Sequence, residues 1–256
     1  MDLAFGFKSH GISREDLESH VRSIRFDLRT RKVIFDDALL PLAFDLKPGG
    51  SFVPPQNFDL PPTPQVLNEI YWLARRLSSG DHVLLVGETA AGKTSFVQYS
   101  HRLLNAALHY TNLSSESADE EVGGGYQPDP KNPGKFRFSQ GLLEKAGNEY
   151  GGKGTSLFID EFNLSSLVEW FNTAQDDRIL ITPEGPVTLG PDTVLIGAMN
   201  PPKYQGRNML SPAIRGRYYE AWIPEADQNE AALRLGWTLK KLMDKTQKSA
   251  ENGSSK

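Results

Sequence analysis

Residues 82–98, HVLLVGETAAGKTSFVQ, constrain this chain more than any other stretch. Gly87, Gly92, Lys93 and Thr94 complete the pattern G-x-x-x-x-G-K-[ST], and the context is the one such a loop requires. Before it runs Val83–Val86, a short apolar run suited to a buried strand. After it, Phe96, Val97, Leu103, Leu104 and Leu108 recur at roughly helical spacing. Glycines let backbone N–H groups close around phosphates, and a helix N-terminus adds a favourable field for the anion. Residues Gly87, Glu88, Thr89, Ala90, Ala91, Gly92, Lys93, Thr94 and Ser95 are therefore the candidate phosphate-binding segment. In it Lys93 would reach the β- and γ-phosphates and the Thr94 hydroxyl would hold Mg²⁺.

The second signal is Ser156-Leu157-Phe158-Ile159-Asp160-Glu161, an apolar strand that delivers two adjacent carboxylates at its C-terminal end, where ligands collect in open α/β sheets. Neighbouring residues on a strand point different ways, so the two acids can divide the work. Asp160 takes the metal role, with Thr94, and Glu161 that of general base for an attacking water. A third strand, Thr193–Met199, ends at Asn200 and is stopped by Pro201-Pro202. An Asn before Pro is ordinarily a turn residue. If this strand lies beside the one ending in Asp160-Glu161, Asn200 could orient the lytic water or touch the γ-phosphate.

Composition narrows the alternatives. With 256 residues, the chain can form one large domain or two small ones around a substantial core. There is no cysteine, so neither a disulfide framework nor a thiolate metal site can form, and the five histidines make no ligand-spaced cluster. The net charge of −4 disfavours nucleic acid as the main partner. No apolar run approaches the ~18 residues of a membrane span, and the N-terminus lacks the pattern of a secretory signal. The expected location is the cytoplasm, or the nucleus in a eukaryote.

Along the chain, residues 1–62 read as an extension. Ser13 and Asp16 resemble a capping box ahead of Leu17, Val21 and Ile24, which suggests a short amphipathic helix. Arg25–Leu28 and Lys32–Phe35 alternate around a turn and suggest a hairpin, and Pro41–Pro64 reads as an irregular connector. Residues 63–224 form the nucleotide-binding core. They begin with a helix over 63–79 whose stripe is Val66, Ile70, Leu73 and Leu77, with Arg75 and Arg76 off it. Trp170 and Phe171 read as core. Residues 225–256 hold one further helix, Ala231–Met243, with Leu235, Leu239 and Leu242 on one face, and a polar tail, 247–256, expected to be disordered.

The phosphate loop, acid pair and polar strand end, in this order, resemble an AAA+ ATPase, and the segments between them resemble its midasin, dynein-related and MoxR-type branch. Thr111-Asn112-Leu113-Ser114 with Gly124–Pro128 looks like the second-strand region, and Gly134–Phe138 leading to Gly141–Leu143 like the insert in helix 2. Arg178–Leu189 is similar to the hairpin before the sensor-1 strand. Ala198–Pro201 and Leu210–Tyr218 are similar to the sensor and to the segment bearing the arginine finger. The resemblance covers about 64–235. Ala91 and Tyr218 are benign departures from the family pattern.

The resemblance implies an α/β fold: a P-loop NTPase three-layer sandwich with a mainly parallel five-stranded sheet. The lid would be truncated, since few residues follow Pro224, and no sensor-2 arginine is assigned. It implies Mg²⁺-dependent ATP hydrolysis that drives remodelling of a protein complex. The protein would act as a ring-like homo- or hetero-oligomer, a hexamer by family habit, with a von Willebrand A-type protein as a possible client. Arg217 would be the finger that reaches a neighbour's nucleotide, with Arg215 the second candidate; the bland alternative is that both pair with local carboxylates such as Glu220. Two other functions stay open. One is a nucleotide-dependent scaffold with negligible turnover. The other is the motor of a restriction-type, nucleic-acid-acting complex, whose GTP-using members carry a Met-Asn-Thr-Ala-Asp type segment where this chain has Met199-Asn200-Pro201-Pro202.

Overall fold

A computed structural model describes residues 21–37, 42–55, 60–112, 118–148, 155–163, 171–182, 184–201 and 209–253. In chain order these form strands β1 (Val21–Asp27), β2 (Lys32–Asp37) and β3 (Leu42–Asp45), helix α1 (Pro64–Ser79), β4 (Val83–Val86), α2 (Lys93–Leu104) and β5 (Ala107–Asn112). They continue through α3 (Ala118–Gly123), β6 (Gly124–Pro128), β7 (Phe136–Gln140), α4 (Leu142–Asn148), β8 (Thr155–Asp160) and α5 (Phe171–Asp176). Last come β9 (Ile179–Thr182), β10 (Gly185–Thr188), β11 (Val194–Met199), α6 (Pro212–Arg215), β12 (Tyr219–Trp222) and α7 (Gln228–Gly253).

The central sheet is parallel throughout, in the order β12-β4-β11-β8-β5. Every residue of β4 and β11 is buried, and five of the six in β8 are. Strands covered on both faces read as unbroken apolar runs, which is why these were visible in the sequence. One face packs under α1 and α2, where Ile70, Leu73, Phe96 and Leu104 meet Val83, Leu85, Phe158 and Ile196. The other is covered by α4, α5 and the β9–β10 hairpin, which join Leu84, Leu157, Phe162 and Leu195 in a second cluster. The result is the three-layer α/β sandwich with a five-stranded sheet.

Helix α1 starts and stops by local chemistry. The Thr63 hydroxyl accepts from the Val66 N–H, Pro64 follows where no N–H is needed, and Gly80 closes the helix at φ 74°. Its expected stripe is buried, but so is Arg76, which the helical spacing put outside it. The guanidinium lies 4.0 Å from the centre of the Tyr219 ring and its Nη1 donates to Asp81 at 3.1 Å. A cation can enter the core when an aromatic face and a carboxylate replace its water.

The extension folds onto the core. Strands β1, β2 and β3 form an antiparallel sheet, with Val33 and Phe35 fully buried and Phe35 edge-on to Tyr71 of α1 at 5.5 Å. The expected hairpin is present. Val21 and Ile24 belong to it as strand residues, not to a helix, because pairing with residues 35 and 37 claims their backbone. The segment read as an irregular connector also contributes β3, and it runs on to the core, where Lys47 N–H donates to Leu104 O at 2.8 Å and Leu108 N–H to Phe52 O at 3.0 Å.

Three further expectations change. Gly124–Pro128 is one arm of the β6–β7 hairpin, between α3 and α4, and is separate from the second strand in chain order of the central sheet, β5. The C-terminal helix begins at Gln228 and continues to Gly253, so it includes much of the polar tail. Asp227 Oδ1 accepts from the Glu230 N–H at 2.7 Å, a cap that starts the helix earlier than the apolar pattern does. Its stripe of Leu235, Leu239 and Leu242 is exposed. Phe171 is fully buried, as expected. The segment around Ser13, residues Leu113 and Ser114, Trp170 and Pro202 lie outside the described residues.

Two histidines make the fold sensitive to acid. His101, fully buried on α2, uses Nδ1 on Val97 O at 2.8 Å, while its buried Nε2 has no partner. Burial pulls its pKa to about 4, against a smaller upward pull from Val97 O. His82 accepts the Leu195 N–H on Nδ1 at 3.0 Å; burial first, and then Arg178, bring it to about 4, with Asp176 opposing. Both are neutral in the native state, whereas the unfolded chain protonates near 6.5. Stability is therefore full above pH 6.5 and falls as the pH drops toward 4, by on the order of 3 kcal/mol per group at the limit. Urea midpoints should fall steadily from pH 7 to 4.5, and the fall should be shallower in His101→Gln; an unchanged slope would assign the acid sensitivity elsewhere.

Candidate functional site

The parallel register brings the three sequence signals to one edge of the sheet. Strand β11 lies between β4 and β8, pairing Met199 with Val86 and Gly197 with Ile159. The loop after β4, the acids after β8 and Asn200 after β11 therefore leave the sheet side by side. This neighbour relation is the condition on which a role for Asn200 depended.

Loop 87–92 is shaped by close approach and left-handed backbone. A Cβ on Gly87 would stand 2.5 Å from Ile223 O, so only glycine lets the loop pass β12. Ala90 and Gly92 take φ of 66° and 95°, the left-handed backbone from which anion-binding nests are built. Alanine there carries a steric cost that glycine does not. Helix α2 begins at Lys93, whose ammonium donates to Gly87 O and Glu88 O, each at 2.8 Å, and to Asn200 Oδ1 at 2.9 Å. Lys93 and Asn200 are both buried. A buried ammonium facing neutral oxygens prefers anionic ones, so the site is matched to a phosphate. Ser95 is half-buried on the first turn, and Thr89 and Ala90 are exposed at the loop tip.

Thr94 Oγ1 donates to Asp160 Oδ2 at 3.0 Å, and Asp160 Oδ1 accepts the Glu161 N–H at 2.9 Å. A hydroxyl and a carboxylate are the hard oxygen donors that Mg²⁺ takes, so this pair fits that ion by its chemistry. Among the described residues there is no group of three or more His, Asp or Glu side chains that could hold a metal ion. Glu161 sits at φ 55°, a conformation uncommon for a residue with a Cβ. The chain therefore turns off the strand direction directly after Asp160.

Asn163 is a site residue that the sequence reading missed. It is fully buried, and its Nδ2 donates to Asn200 O at 3.3 Å, while Phe162 N–H donates to Ala198 O at 2.9 Å. The turn after the acids is thereby tied to the strand that carries Asn200. The available signal was a polar residue two places past the acid pair in an otherwise apolar setting.

The two arginines stand apart from this cluster. Arg215 donates from Nη2 to both oxygens of Glu220, at 2.8 and 2.7 Å, and from Nε to one of them at 3.0 Å, the local pairing that the bland reading anticipated. Arg217 donates through Nε and Nη2 to the two oxygens of Asp176, at 2.7 and 2.5 Å. The hydrogen bond from Arg217 is the main reason that the Asp176 carboxyl is held below the usual carboxylate range. Tyr219 pairs with Val83, so Arg217 lies at the edge where β4 begins, while the phosphate loop lies where it ends. About 10 Å of strand, plus the loops, separates Arg217 from its own Lys93.

Replacing Asn163 with alanine should lower ATP turnover by roughly 10-fold or more while nucleotide affinity changes little, because Asn200 loses its support whereas Lys93 keeps its bonds to Gly87 O and Glu88 O. Comparing turnover with fluorescent-nucleotide titration checks this, and an equal loss of affinity would place Asn163 in binding instead.

A model of AAA domains of the dynein-related subfamily matches residues 82–218. Over 181 residues the chain is 35% identical to midasin from Dictyostelium discoideum, a match that covers 66% of this chain and 3% of that protein. Over 152 residues it is 30% identical to midasin from Giardia intestinalis, covering 57% of this chain and again 3% of the relative. The chain thus spans a small fraction of the length of the curated relatives it matches. Among solved structures, an ATPase candidate from Cytophaga hutchinsonii superposes with a TM-score of 0.51 at 15% identity, over 66% of this chain and 52% of that one; at this identity the likeness concerns the fold alone. Loop, acid pair, sensor strand and sheet order are accounted for together: the chain belongs to the dynein-related subfamily of AAA domains and is a nucleotide-binding P-loop ATPase.

Proposed function

We propose that this chain hydrolyses ATP with Mg²⁺ at sites shared between neighbouring subunits, and that the cycle drives remodelling of a protein complex. The observation that carries the shared site is the position of Arg217 at the sheet edge opposite its own phosphate loop. An arginine there is remote from its own nucleotide, so as a finger it would serve another subunit's, and each site would be complete only in an assembly. A ring, of six subunits by family habit, supplies such an arrangement with every site equivalent. Arg215, bound on both oxygens of Glu220, is the weaker candidate for the finger.

In the reaction, Lys93 and the loop amides hold the β- and γ-phosphates. Thr94 and Asp160 would hold Mg²⁺, which when bound would offset negative charge on the phosphates. Glu161 takes a proton from the attacking water as its oxygen bonds to the γ-phosphorus. The bond from that phosphorus to the β–γ bridging oxygen breaks, and ADP departs with the electron pair. Asn200 Oδ1 accepts from the water and keeps it in line, and Arg217 of the next subunit stabilises charge on the phosphoryl group.

Remodelling of a protein complex rests on likeness to the midasins, each far longer than this chain. The β6–β7 and β9–β10 hairpins, which expose Tyr126, Phe136 and Ile181, are the candidate surfaces for transmitting nucleotide state to a client. The client would be a protein, a von Willebrand A-type domain by family expectation, and the setting the cytoplasm or nucleus.

ATPase rate per subunit should rise steeply with protein concentration, and it should fall by at least ~100-fold in Glu161→Gln with ATP binding kept. Arg217→Ala should lose turnover similarly, and Arg215→Ala much less. A rate at the Glu161→Gln level at every concentration would instead make this chain a nucleotide-dependent scaffold, and stimulation by duplex DNA would favour a nucleic-acid client.

A further inference from the structure

Arg217 can act on a neighbour's phosphate only if its guanidinium is aimed outward in a fixed pose, and a long side chain at a surface does not hold such a pose unaided. Asp176 grips the Nε–Nη2 edge through both carboxylate oxygens, and Ala213 O accepts from Nη1 at 2.5 Å. The side chains of Arg217 and Asp176 are 27% and 47% exposed, so the pair contributes little to stability, whereas its fork geometry defines direction well.

The two residues come from elements far apart in sequence, and both elements rest on one side chain. Phe162, fully buried, stacks on Phe171 at 6.1 Å with ring planes 13° apart, and Phe171 opens the helix that ends in Asp176. The same ring meets Tyr218, the residue after Arg217, edge-on at 5.4 Å. Its position is over-determined. Phe162 N–H donates to Ala198 O, and a Cβ on Gly197 would lie 2.9 Å from Phe162 Cγ, so the ring occupies space that this glycine vacates. Phe162 also directly follows Glu161.

We infer that Asp176 and Phe162 are positioning residues for Arg217: Asp176 aims the guanidinium at the neighbour's nucleotide, and Phe162 seats the two elements that carry the pair. The residue beside one subunit's general base thus sets the finger that completes the next subunit's site. This rests on the reading of Arg217 as a finger that acts between subunits.

Mixed assemblies separate the two ideas. A Lys93→Ala chain cannot hold nucleotide and can only donate its finger, while an Arg217→Ala chain can hold nucleotide but donates none. Each should be nearly inactive alone, and their mixture should hydrolyse ATP. Asp176→Asn, added to the Lys93→Ala donor, should lower kcat of the mixture by roughly 10- to 100-fold with KM for ATP unchanged, and Asp176→Glu should recover part of the loss. Phe162→Leu on the donor, which keeps bulk but loses both ring contacts, should act in the same direction. Circular dichroism and sedimentation of each donor check that it folds and assembles. An Asp176→Asn donor that supports the full rate, or a higher one, would overturn the positioning role. A mixture inactive even with the unaltered donor would remove Arg217 from the neighbour's site and this inference with it.

Discussion

The parallel pairing of β4 with β11 on one side and β12 on the other is the constraint on which the rest depends. It delivers the phosphate loop and Asn200 to one edge and, because β12 runs the same way, leaves Arg217 at the other. One strand direction thus assembles the phosphate site at one edge and keeps Arg217 away from it. The steric detail serves the same pairing: Gly87 lets the loop pass Ile223 O, and Gly197 makes room for Phe162 beneath the acids.

Around that sheet, charge is handled by two different means. Inside, Lys93 faces oxygens of Gly87, Glu88 and Asn200, and Arg76 lies against Tyr219 with Asp81 at its end, so neither cation is buried without compensation. Outside, Arg215 and Arg217 are gripped by Glu220 and Asp176. The first kind of contact is a matter of stability and ligand affinity. The second adds little energy in water but narrows the directions that a guanidinium can take.

The C-terminal helix is joined to the core at one end. Helix α7 is attached by its first turn, where Glu230 accepts from both the Thr63 hydroxyl and Arg234, with Gln65 donating to Pro224 O at 3.3 Å. Thr63 thereby caps α1 and holds α7 together. Beyond that turn the leucine stripe faces outward, so the helix owes its backbone to its length and cap and not to burial on the core.

What the sequence by itself determined is whatever local chemistry dictates. The G-x-x-x-x-G-K-T loop, the unbroken apolar runs of β4, β8 and β11, the acids at 160 and 161 and the caps of α1 need no distant partner to be recognised. Tertiary structure alone decided the contacts between segments distant in sequence. That Asn200 leaves the sheet beside Asp160, that Asn163 supports it, that Arg76 is buried and that Asp176 holds Arg217 are consequences of strand order and packing. So is the placing of Val21 and Ile24 in a strand, since the helical period of their apolar positions lost to pairing with β2. Periodicity reports which face of an element is apolar, but a hydrogen bond or ion pair across 41 residues, as between Asp176 and Arg217, depends on how the elements pack.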